Sequence, residues 1–140
     1  QMWLVMYGMN LAIILITGLS SSQNQDTVVQ QLTQSPLQIM LVTCVFAPIV
    51  EETVFRGAVF TTLRSRTCFR NAALISGFLF GLLHVFTSLL SGNFSDCIFI
   101  LVYGTMGYLL CAAEEENQTL LSPLFMHGLN NLISVVLILL

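Results

Sequence analysis

Five predominantly apolar runs, each 18 to 28 residues long, fill most of this chain. They are Met2 to Leu19, Pro36 to about Leu63, Asn71 to Leu90, Asp96 to Ala113 and Leu120 to Leu140. A helix of about 20 residues rises 1.5 Å per residue and so crosses roughly 30 Å of hydrocarbon. In lipid every backbone N–H and C=O must find a partner within the protein, and runs of this length satisfy that as helices rather than barrel strands. Composition closes the soluble alternative: only 8% of the residues are charged and 56% are hydrophobic, against roughly 25% charged in an ordinary soluble domain. The expected fold is all-α, a polytopic transmembrane helical bundle with about five membrane-spanning segments. Residues 1–35 are expected to form a first transmembrane helix and an external polar loop, and residues 36–140 the functional core.

The basic residues set an orientation and remove one function class. There is no lysine, and three of the four arginines, Arg64, Arg66 and Arg70, cluster between the second and third runs. That link is expected in the cytoplasm, with the polar stretch Ser20 to Ser35 outside. Four arginines make no patch for a phosphate backbone, so nucleic acid is excluded as a partner; membrane lipids are the expected surroundings. Cys44, Cys68, Cys97 and Cys111 are too scattered for a CxxC pair and read mostly as buried free thiols. A chain opening on Gln1 reads as an excised segment with helices upstream. Nothing in the sequence sets an oligomeric state.

Against this background the stretch Val50-Glu51-Glu52-Thr53-Val54-Phe55-Arg56 is expensive. Counted from Leu63, Glu51 is about 18 Å into its helix; His84 is about 21 Å beyond Arg70, and His127 and Asn131 are about 15 and 21 Å beyond Asn117. Three runs thus put costly polar groups in one middle band, where each needs a partner or a watered cavity. Glu52 and Arg56 share a face at i,i+4 and can offset each other's cost, which leaves Glu51 the freer carboxylate. His127 and Asn131 also share a face, and Phe80 lies one turn from His84. Pro48 is expected to disturb the helix ahead of Glu51 by leaving a carbonyl near residue 44 unpaired. Gly77 and Gly81, and Gly104 with Gly107, offer faces for close helix packing; Asn10 with Gly8 reads as a further helix contact.

A confined carboxylate can take a proton from water, a histidine can orient that water or bind a metal, and Asn131 with the other histidine can stabilise an oxyanion. Hydrolysis of an amide or ester is the chemistry such a set supports. Glu51, His84 and His127 would be the ligands if a divalent metal such as zinc is present. The HExxH pairing is absent, which favours no metal.

Three motifs in order, Glu51-Glu52-Thr53-Val54-Phe55-Arg56 (EExxxR), Phe80-Gly81-Leu82-Leu83-His84 (FxxxH) and His127-Gly128-Leu129-Asn130-Asn131 (HxxxN), resemble the signature of the CAAX prenyl-protease and bacteriocin-processing intramembrane proteases, the CPBP or Abi family. The resemblance covers roughly residues 36 to 138. It implies an intramembrane endopeptidase in a bacterial plasma membrane, its site open to the cytoplasmic side. Glu51 would activate water, His84, His127 and Asn131 would complete the catalytic group, and Glu52, Arg56 and Phe80 would support it. The implied substrate is a membrane-associated peptide, bacteriocin-related, or a lipidated protein. A non-catalytic immunity or scaffold protein and a proton-coupled transporter remain alternative readings of the same polar core.

Overall fold

The structure, a computed structural model, describes residues 2–139; the outer ends of the expected segments, Gln1 and Leu140, lie outside the described residues. It is all-α. Six helices follow in order: α1 (Met2–Thr17), α2 (Gln23–Gln34), α3 (Pro36–Arg64), α4 (Phe69–Leu90), α5 (Phe94–Asn117) and α6 (Leu121–Leu139). Among the described residues α3 to α6 are long and apolar enough to cross a membrane, as a multi-pass integral membrane protein requires. At the expected fifth span the described residues form α1, an apolar helix of 16 residues, about 24 Å long. Large side chains such as Leu74, Phe78, Leu101 and Phe125 are exposed on the outer faces, where lipid would cover them.

The polar stretch after α1 is not a loop. Gly18, at φ +76°, turns the chain out of α1, and Ser22 then caps α2 by accepting the Gln25 N–H at 3.2 Å. Asp26 in the first turn complements the helix dipole. Ser22-Gln23-Asn24-Gln25 is a capping-box sequence, a local signal that polarity alone conceals. Pro36 stands in the first turn of α3 as expected.

Helix α3 is not uniform. Two π-helical stretches, Val42–Phe46 and Thr53–Phe60, bracket the short α-helical segment Ala47–Glu52 that holds both glutamates. Pro48 offers no N–H to the Cys44 carbonyl, which is the disturbance expected of it. That carbonyl faces α6 instead: a Cβ on Gly128 would lie 2.8 Å from Cys44 O. Gly128, inside the HxxxN motif, therefore lets α6 approach the irregular part of α3.

Helices α4 and α5 pack backbone to backbone through their glycines. A Cβ on Gly77 would fall 2.6 Å from Gly104 O, one on Gly81 2.8 Å from Ile100 O, and one on Gly107 2.8 Å from the Gly77 Cα. By contrast nothing lies within 4 Å of a Cβ on Gly8, and Asn10 donates to its own helix at Met6 O. The expected packing role is corrected for Gly8, which faces open space. One apolar core joins α1, α4 and α5 around Met6, Val85, Val102 and Met106; a second lies around Phe60, Ala72 and Cys111. All four cysteines are free, but only Cys111 is buried and Cys68 is exposed.

Candidate active site

Between the two cores, three helices bring their costly groups together. Glu52 and Arg56 are fully buried on α3. The Arg56 guanidinium lies 3.1 Å from each Glu52 carboxylate oxygen, through Nη1 to Oε1 and Nε to Oε2. A second terminal nitrogen donates to the Gly107 carbonyl of α5 at 3.0 Å. Its flat face rests on the Phe80 ring, 4.6 Å from the centroid, a favourable cation–π placement. The cationic group thus touches α3, α4 and α5 at once, and it joins these helices.

Glu52 has a further partner. His127 of α6 donates Nδ1–H to Glu52 Oε1 at 2.7 Å, so its Nε2 points away from the ion pair. His84 donates Nδ1–H to the Phe80 carbonyl one turn back, at 2.9 Å; a carbonyl can only accept, and this fixes the tautomer with a lone pair on Nε2. Both Nε2 atoms face Glu51: each lies 3.8 Å from Oε2. That oxygen is buried and has no hydrogen-bond partner. An isolated buried acceptor costs about 1–3 kcal/mol. A water molecule standing between Oε2 and either Nε2 would relieve it by donating one O–H to each, because a 3.8 Å separation leaves room for contacts of about 2.8 Å.

Glu51, His84, His127 and Asn131 all line one cavity of about 530 Å³. Asn131 reaches it differently from the others: its side-chain nitrogen donates to Thr43 O at 2.9 Å, tying α6 to the first π-helical stretch of α3. One of its two N–H bonds is thereby committed and the other is free for a ligand. Phe80 does not line the cavity. It lies beneath, touching Arg56, Phe55, His84 and His127 through its ring.

Sequence reasoning missed the outer wall. Ser22, Asn24 and Gln25 of α2 and Tyr103 of α5 also line the cavity. Tyr103 lies within an apolar run and has its partners 79 and 81 residues away, so no local signal marks it. The cavity draws on the early part of α3 (Val42, Thr43), the later part of α4 (His84) and the start of α5 (Phe99, Val102). It therefore lies toward the bundle end remote from the Arg64–Arg70 link.

Among the described residues no group of three His, Cys, Asp or Glu stands together so as to hold an ion. The 3.8 Å from Glu51 Oε2 to either Nε2 exceeds the roughly 3.4 Å edge of a tetrahedral zinc shell with bonds of about 2.0–2.1 Å. As they stand, these side chains do not form that shell.

Comparison with known proteins places these residues in context. The family model described as type II CAAX prenyl endopeptidase Rce1-like matches residues 33–133, which include all three motifs. The Bacillus subtilis (strain 168) protein named "Putative membrane peptidase YdiL" is 29% identical over 116 residues, covering 83% of this chain. The chain spans 43% of the length of that curated relative. No solved structure matches.

Proposed function

This chain belongs to the type II CAAX prenyl endopeptidase Rce1-like family, and from that premise we propose that it forms the catalytic core of a glutamate-dependent intramembrane endopeptidase. The observation that carries the reading is the Glu51 carboxylate oxygen, buried, unpartnered and equidistant from two imidazole Nε2 atoms. The roles follow from what holds each ring. His84, tied through Nδ1–H to a backbone carbonyl, presents its Nε2 lone pair to accept one water O–H. His127, held through Nδ1 by the Glu52 carboxylate, turns its Nε2 toward the same Glu51 oxygen.

The reaction then balances as follows. Water held at Glu51 loses one proton to Oε2 while its oxygen bonds to the scissile carbonyl carbon. The oxyanion that forms is met by the free N–H of Asn131. As the C–N bond breaks, the proton on Glu51 passes to the departing amine. A general base of this kind contributes about 10²–10⁴ in rate, and an oxyanion donor about 10²–10³.

The substrate in this reading is a membrane-associated peptide, either the end of a lipidated protein or a bacteriocin-related precursor. The test uses the purified protein with an internally quenched CAAX peptide, farnesylated or not, in detergent micelles. Glu51→Gln is expected to lose turnover by at least about 10² with its unfolding curve unchanged. Wild-type turnover in Glu51→Gln, or no cleavage of any such peptide by the folded wild type, would return the chain to an immunity or scaffold role.

A further inference from the structure

His84 is held on three sides. Its Nδ1 bonds the Phe80 carbonyl, and the Phe80 ring lies 4.5 Å away at 42°. On the other face Tyr103 of α5 stacks at 4.4 Å and 24°. Tyr103 is in turn anchored at its far end: its hydroxyl lies 2.7 Å from the Ser22 hydroxyl and accepts from Asn24 at 3.4 Å. Ser22 is buried and is itself the cap of α2.

The start of α2 is fixed as well. The Gln23 N–H donates to both oxygens of the buried Asp96 carboxylate, at 3.2 and 3.4 Å, and Ser88 of α4 donates to the same group. A continuous set of contacts therefore runs from the end of α4, through Asp96 and the first turn of α2, to the Tyr103 hydroxyl and across its ring to His84.

From this we infer that Tyr103 is a positioning residue for the reaction, holding the His84 ring in the one plane that aims Nε2 at Glu51. The inference rests on the role given to His84 above. An imidazole turns about two side-chain bonds, and its Nδ1 bond to Phe80 alone leaves it free to swing. The stacked phenol closes the remaining direction, and Ser22 keeps the phenol in place. Because Tyr103 holds a ring rather than a substrate, its loss should act on kcat and leave KM nearly unchanged.

The test compares Tyr103→Phe, which keeps the ring, with Tyr103→Met, which fills the space without one, in the farnesylated-peptide assay. Misplacing a catalytic group by about 1 Å costs on the order of 10² in rate. Tyr103→Met is expected to lose about ten- to a hundredfold in kcat, with KM within about threefold, and Tyr103→Phe to lose only about two- to threefold. The chain has two histidines, so ring ¹⁵N spectra contain two sets of signals, which His127→Gln assigns. Wild-type His84 should show one Nδ1–H tautomer and Tyr103→Met an average of two. If Tyr103→Met does not fold, Tyr103→Leu, which also lacks the ring, is read by the same signals: averaging supports the inference and a single tautomer overturns it. Glu51→Gln inactive, with Tyr103→Met at wild-type kcat and unaltered ring signals, overturns this inference alone. Glu51→Gln at full rate overturns the catalytic reading beneath it.

Discussion

Replacing Gly77 by alanine tests whether the glycine contact between α4 and α5 positions the site. The added Cβ would stand 2.6 Å from Gly104 O and 3.0 Å from Tyr108 N. Both are backbone atoms, so no side chain can swing aside. The first contact is about 0.8 Å short of the 3.4 Å at which ordinary contact begins, and the helices must part by roughly that amount. Overpacking of this sort costs about 1–3 kcal/mol. The upper half of that range applies here because the struck atoms are fixed and Gly81 and Gly107 hold the same seam. Alanine's better helix propensity, worth up to about 1 kcal/mol in water, gives little back, since membrane helices stay helical when they separate. The net expectation is a loss of about 2–3 kcal/mol in equilibrium unfolding by SDS titration in mixed micelles. Turnover should fall too, because His84 lies seven residues along the same helix, about 10 Å away. Gly8→Ala is the control: nothing lies within 4 Å of its Cβ, and its stability should stay within about 0.5 kcal/mol of wild type. Equal stability of the two variants would refute the packing argument.

Arg56→Met should destabilise the fold by about 3 kcal/mol, the low end for breaking a buried ion pair, because its i,i+4 partner Glu52 stays on the same helix even when the bundle opens; the SDS titration measures it. Loss of peptide cleavage in Arg56→Met without loss of stability would instead make Arg56 a reacting group. Asn131→Ala should lower kcat by about 10²-fold in the peptide assay, and an unchanged kcat would remove it from the oxyanion site. Dialysis against a chelator should leave turnover within about twofold, a readout of the non-tetrahedral donor spacing; activity that disappears and returns with stoichiometric zinc would contradict that geometry.

The polar groups that meet in the middle of the bundle were readable because hydrocarbon makes them expensive. Glu52 and Arg56 one turn apart, and His84 and His127 at similar depth, needed partners, and the helices supply them. The seam through Gly77, Gly81, Gly104 and Gly107 was readable for a related reason: only small residues let two backbones touch. Other features were hidden. Helix α2 is mostly polar and looks like a loop unless the capping box at Ser22 is weighed. Gly8 has the same composition signature as Gly77, but whether a glycine faces a neighbour depends on which way its helix is turned. Asp96 opens an apolar run and reads as a solvated end, yet it is buried against Ser88 and the first turn of α2. Tyr103 stacks on His84 through a contact between separate helices, which no spacing rule reaches.

The account stands on water held between Glu51 and two imidazoles, and an experimental density map of the detergent-solubilised protein that resolves ordered water examines it directly. The expected result is a peak within about 3 Å of Glu51 Oε2 and of the Nε2 atom of His84 or His127. A map in which apolar side chains fill that position, or in which either ring turns its Nε2 away from Glu51, would contradict it.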